Sequence, residues 1–199
     1  MHRKLVIALG CILIFLGIFG IAKASFMPIK AIIGQHYLEA AWQESLKNNK
    51  LSRPWRSADF YMIGELKVPR LKISRVILNS VSGEAMAWGI GRIANVGIAS
   101  GSRPIILAGH RDSHMQFMSK LNIGDKIELM TTDGVLKTYE ISKTVITERP
   151  ELKTFTHKIK MNSIVLTTCW PFNSSKQGTK RYLIIANEHK GSLHSEYEV

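Results

Sequence analysis

"SIVLTTCWPF", residues 163 to 172, decides how this chain is read: a β-rich run leads straight into a cysteine, then a tryptophan and a proline. Ile, Val and Thr fit a pleated, half-buried surface, so 163–168 is expected to be a strand with Cys169 at its tip. A strand that ends on a thiol asks what the thiol is for.

Working outward, the same kind of segment recurs. "IGELKVP" (63–69), "ISRVILN" (73–79), "PIILAG" (104–109), "DKIELMT" (125–131), "KTYEIS" (137–142), "TVIT" (144–147) and "YLIIA" (182–186) are short and β-rich, and several alternate apolar with polar residues. Asp133-Gly134 lies between two of them as a strong hairpin signal. Only "GEAMAWGIGRIAN" (83–95) and the region from Glu151 to His157 look capable of short helices. With the leading segment this makes eight strands, so the expected fold is mainly β, a largely antiparallel sheet closed into a barrel or a sandwich. No internal repeat or low-complexity tract interrupts it.

The chain has 199 residues, 45% of them apolar, enough for one domain with a real core. His2, Arg3 and Lys4 precede Leu5 to Ala22, a run of 18 uncharged residues. As a helix that run spans about 27 Å, enough for the hydrocarbon core of a bilayer. Ala22-Lys23-Ala24 also has the small-x-small look of a signal-peptide cleavage site, although the apolar run is longer than a signal peptide needs. On either reading, membrane anchor or signal peptide, the rest of the chain leaves the cytoplasm, and basic residues around the span put residues beyond 24 outside. Ile33, Tyr37, Leu38, Ala41, Trp42 and Leu46 follow at helical spacing, and the polar "KNNKLSRPWRSAD" (47–59) reads as a linker broken by Pro54. The expected division is therefore 1–24 stub and anchor, 25–59 amphipathic helix and linker, and 60–199 folded domain.

Lys and Arg outnumber Asp and Glu by 27 to 15, a formal charge of +12. The basic residues are scattered and show neither zinc-finger spacing nor an aromatic-interleaved RNA motif, which argues against nucleic acid. An anionic membrane surface and a merely solvated basic surface remain as uses for the charge. There are two cysteines, and Cys11 falls within the apolar run, so Cys169 has no partner for a disulfide inside its own domain. The alternatives for such a thiol are inert burial or chemistry.

Three residues lie at strand boundaries: His110 after "PIILAG", Cys169 after "SIVLTT" and Arg181 before "YLIIA". A thiol must be a thiolate to attack carbon, and a nearby imidazole can take its proton or stabilise the anion. An arginine can donate to the oxyanion that forms on the attacked carbonyl. Together the three make an acyl-transfer site, whereas each alone has a bland reading as a packed or paired side chain. Two lookalikes fail. "HRD" at 110–112 lacks the asparagine that a kinase catalytic loop requires, Phe117 standing in its place. His110 and His114 are spaced for a metal on a helix, but this segment follows a strand and no Glu intervenes.

The chain resembles the sortases, membrane-anchored cysteine transpeptidases. The resemblance is carried by "ILAGHRDSHMQFMSKLNIGDKIELMTTDG", "VLTTCWPF" and "TKRYLIIA", and covers about residues 60 to 188. In that family a histidine ends a strand in a "GHR" context, a cysteine ends a "TLxTC"-like strand and an arginine opens the next; here those positions fall on His110, Cys169 and Arg181. "CWPF" and the short N-terminal anchor look like the Gram-negative, proteobacterial type.

The resemblance implies an eight-stranded β-barrel with short helices behind a transmembrane helix, and a periplasmic catalytic domain on a single-pass inner-membrane protein. It also implies an exported substrate protein with a C-terminal LPxTG-like sorting signal, and an amine acceptor. Cys169 would attack the Thr carbonyl of the signal, His110 would serve first as acid and then as base, and Arg181 would bind the oxyanion. Thr168 matches a position that touches substrate in the family. No acidic cluster marks a calcium site, so neither metal nor cofactor is expected. Trp170 and Phe172 would line the motif groove or pack beneath it. Water as acceptor would make the enzyme a thiol protease, and the contrasting class is a noncatalytic, membrane-anchored β-barrel binding module of the cell envelope.

Overall fold

The computed structural model describes residues 2–48, 50–93, 104–148, 159, 162–174 and 178–189. The chain divides into two compact units, Met1–Tyr37 and Leu38–Val199. Helix α1 runs from His2 to Asn48. Within the first unit its described side chains include Ile12, Leu13, Ile14, Phe15, Leu16, Ile18 and Phe19, all large, apolar and exposed. Among the described residues no helix is long and apolar enough to cross a membrane. Several side chains of the apolar run, those of Leu5, Val6, Ala8, Leu9 and Cys11 among them, lie outside the described set, so the expected transmembrane helix is covered only in part.

In the second unit the strands are β1 (Met62–Val68), β2 (Ile73–Leu78), β3 (Ile90–Arg92), β4 (Ile105–Ala108), β5 (Lys126–Thr131), β6 (Leu136–Glu148), β7 (Ser163–Cys169) and β8 (Lys180–Glu188). They close a barrel in the order β1-β2-β3-β4-β7-β8-β6-β5. Each described strand has a paired neighbour on both sides, which settles the choice between barrel and sandwich. The pairs are antiparallel except β2 with β3 and β4 with β7.

The strands differ from the expected set in two places. The segments 137–142 and 144–147 are one strand, β6, whose register against β8 shifts between Ile141 and Lys143. Ser142 is the extra residue of this bulge, and its hydroxyl donates to the Ile185 carbonyl at 3.2 Å. An extra residue breaks the alternation, so one bulged strand reads as two. Conversely, the described part of the expected helix 83–95, residues 83–93, is helical only over α2 (Gly83–Trp88), with Ser82 capping Ala85 N–H at 3.1 Å, and then turns into β3. Three residues with a central glycine carry no alternation to detect. Gly91 is required by contact, because a Cβ there would overlap the Ser80 carbonyl. The helix expected near Glu151 to His157 lies outside the described residues.

The Asp133-Gly134 signal is realised between β5 and β6: Gly134 has φ +78°, and Asp133 accepts from Val135 N–H at 3.3 Å. The side-chain bond from Thr131 holds the Asp133 carboxyl below its ordinary pKa.

Period-two alternation sends Leu66, Leu107, Ile164, Leu166 and Ile184 into the barrel, where they pack with Met115 and Met118 from the segment after β4. A second cluster joins Leu38, Ala41 and Trp42 of α1 to Phe60, Met62 and Leu78, with Trp55 packed against it. The polar stretch 47–59 thus contributes Trp55 and Ala58 to packing. A third cluster, Ile106, Val165, Leu183 and Ile185, lies on the opposite face of β4, β7 and β8 from the barrel interior.

Candidate active site

β4 and β7 run parallel, with Ala108 beside Thr167. His110 stands two residues beyond the first of these and Cys169 two beyond the second, so the parallel register brings both to one end of the barrel. On the other side of β7, antiparallel β8 pairs Arg181 directly with Cys169. The ladder thus gathers three residues separated by up to 71 positions (181 minus 110). Opposed residues in an antiparallel pair share a face and lie about 4.5–5.5 Å apart at Cα.

Alternation fixes which face. Val165 belongs to the outer cluster, so Cys169, four residues on, shares the outer face, as does Arg181, two residues before Leu183. Cys169 is a free thiol, partly exposed; His110 is exposed and Arg181 partly so. One Arg181 nitrogen, Nη1, donates to the carbonyls of Gly178 (3.2 Å) and Lys180 (3.0 Å).

Thr168 points the other way. It is 3% exposed, and its hydroxyl donates to the Gly109 carbonyl at 2.8 Å. Gly109 N–H in turn reaches the Thr167 carbonyl at 3.4 Å. The residue before the histidine is therefore tied to the two residues before the cysteine. Thr167, on the outer face, is equally buried, yet among the described residues its hydroxyl has no hydrogen-bond partner.

The segment after His110 is fixed by the core. The His110 carbonyl accepts from Met115 N–H at 2.9 Å, and Met115 is fully buried. His114 sets its Nε2 at 3.3 Å from the Ala87 carbonyl. Burial pushes its pKa below the ordinary imidazole value, with the Arg75 and His110 charges acting in the same direction. Among the described residues no group of three His, Cys, Asp or Glu side chains could hold a metal ion.

Beyond Cys169 the chain turns through a cis Trp170–Pro171 bond. Trp170 stacks on Tyr182 (ring centroids 5.5 Å), and Phe172 meets both rings edge-on at 5.6 and 5.2 Å. Phe172 and Tyr182 also pack on the barrel core, so of the two expected roles Phe172 takes the packed one. Gly178 is needed where it is, because a Cβ would overlap the Trp170 carbonyl.

Arg111, to which the sequence alone assigns no role, also bears on the site. It is 9% exposed, and its guanidinium donates to the Pro171 carbonyl at 2.9 Å and to the Ser174 carbonyl. The one available signal was its place directly after the candidate histidine, inside the "GHR" context that carries the resemblance.

Comparison with known proteins bears on the family and the fold. The sortase domain family profile matches residues 66–189. Sortase D of Bacillus subtilis (strain 168) is 29% identical over 121 residues, 61% of this chain and 61% of that protein, so the match spans less than two thirds of the relative's length. Among solved structures, the catalytic domain of B. anthracis SrtD superposes with a TM-score of 0.53 at 28% identity, covering 64% of this chain and 87% of that one. Sortase A from Corynebacterium diphtheriae gives 0.59 at 15% identity over 81% and 86%, a likeness of fold.

Proposed function

The chain belongs to the sortase family, and we propose that it is a cysteine transpeptidase that cuts an LPxTG-like sorting signal and joins the exported substrate protein to an amine. The observation that carries the proposal is the direct cross-strand pairing of Cys169 with Arg181, beside a β4 end that delivers His110 in matching register. The Cys169 thiolate attacks the Thr carbonyl carbon. The oxyanion is met by Arg181 donors, the C–N bond breaks, and His110 gives its proton to the leaving amine. The acceptor amine then attacks the thioester, loses a proton to His110, and the C–S bond breaks to restore the thiolate.

For Thr168 the proposal narrows. With its hydroxyl on Gly109, its contribution to substrate binding is indirect, through the strand end that it fixes. We read the first unit as the anchor: the uncharged run and its exposed apolar side chains suit a bilayer. The catalytic unit then lies on the outer side of the cytoplasmic membrane, and "CWPF" favours the Gram-negative type and a periplasmic site.

Cys169→Ala should abolish processing of a sorting-signal substrate by the full-length protein in detergent, with the thermal transition kept. Added primary amines should divert the product from acid to amide. Processing retained by Cys169→Ala would remove the assignment, and a product that amines never alter would make the enzyme a hydrolase.

A further inference from the structure

His110 and Cys169 are each held from one side by the contacts already described: Gly109, before the histidine, is bonded to Thr167 and Thr168, before the cysteine. The other side is held as well. Arg111, directly after the histidine, reaches 60 and 63 residues along the chain to the carbonyls of Pro171 and Ser174, after the cysteine. The two site residues therefore sit inside a bracket closed at both ends, by a threonine hydroxyl at one and a guanidinium at the other.

We propose that Arg111 is a positioning residue for acyl transfer: by clamping the segment after Cys169 to the turn after His110, it fixes the separation of thiol and imidazole and the path of the loop that carries Trp170 and Phe172. The inference rests on the transpeptidase reading for its kinetic consequence, but not for the clamp itself.

Chemistry explains why an arginine occupies the position. Its planar fork can donate to two carbonyls at once, which a lysine, a point charge on a flexible stem, cannot do with the same geometry. Both acceptors are main-chain, so the contact holds the path of the loop and not one rotamer. Gly178 supports the same path from the far side, where only a missing Cβ lets the chain return against Trp170. Burial of Arg111 adds to its effect, because charge-assisted bonds are stronger where water is excluded. Attack by sulfur on a peptide carbonyl depends steeply on placement, and a misplacement of about 1 Å can cost on the order of a hundredfold in rate.

The test uses the full-length chain in detergent, with Arg111→Lys and Arg111→Met. Hydrogen exchange reads the clamp without substrate: both variants should exchange faster in 110–115 and in 170–174 together, while strands β5 and β6 stay protected. A first-turnover assay with an LPxTG-like peptide reads the consequence. Acylation at saturating peptide should fall on the order of ten- to a hundredfold, KM should change by less than about threefold, and Arg111→Lys should recover little of the rate. Unchanged exchange in the two segments would overturn the clamp. A wild-type acylation rate in Arg111→Lys, or a loss that only follows the unfolded fraction, would overturn its catalytic consequence. A wild-type enzyme that forms no acyl-enzyme would instead refute the transpeptidase reading, with the clamp still decided by exchange.

Discussion

The stretch from Ser163 to Ser174 is built in two ways that meet at Cys169. Up to the cysteine, β7 is held on both sides by strand ladders, to β4 and to β8, and Ile164 to Leu166 are fully buried. After it, the chain has Trp170 N–H on the Lys180 carbonyl at 3.1 Å, the ring contacts of Trp170 and Phe172, and the Arg111 clamp. The first half draws its order from regular structure, the second from a few side chains that reach it from elsewhere. A nucleophile at the junction gains a rigid mount behind it and a surface in front that single residues can tune.

The comparison can be broken most visibly in the core. Leu166→Ala, on the mount side, should cost about 2–5 kcal/mol, because a cavity opens among residues already in contact. Trp170→Ala, on the loop side, should cost only about 1–2 kcal/mol, the worth of its ring contacts, while lowering activity more than its stability loss explains. Denaturant titration beside turnover separates the two, and equal losses of stability would erase the distinction.

A finer contrast lies within β7. Thr168→Val leaves the Gly109 carbonyl without its hydroxyl partner and should destabilise by about 1 kcal/mol. Thr167→Val removes a buried hydroxyl that has no partner among the described residues and should be neutral or stabilising by a similar amount. Midpoints that move in the same direction for both would contradict the hydrogen-bond assignment.

The smallest expected effect is one of pH. His114 titrates below its ordinary value because burial disfavours the charged ring. Below the unfolded pKa, near 6.5, the unfolded chain therefore binds more protons, so stability falls as pH drops from about 7 towards 5. His114→Gln should flatten that slope in thermal scans, and a slope that survives unchanged would assign it elsewhere.

How much was legible in the sequence follows the same division. Strands with whole periods of alternation, such as β5, β7 and β8, declared themselves, and the three boundary residues came with them, because a strand end is a local signal. β3 is too short to alternate, and β6 hides its continuity behind the bulge at Ser142. The contacts of Arg111 and the Thr168 bond to Gly109 depend on partners some 60 residues away, which no local pattern can announce. Trp170 and Phe172 were visible as aromatics near the cysteine, but their support from Tyr182 exists only once β7 and β8 pair.

The most direct test of the central claim is the intact mass of the full-length protein, in detergent, after incubation with a short LPxTG-like peptide. The account predicts an added mass equal to the acyl fragment of the peptide, mapped to Cys169, discharged by an amine, and absent from Cys169→Ala. No adduct and no cleavage across a panel of motif variants, with the barrel folded, would contradict it and leave a free thiol that the fold presents but does not use.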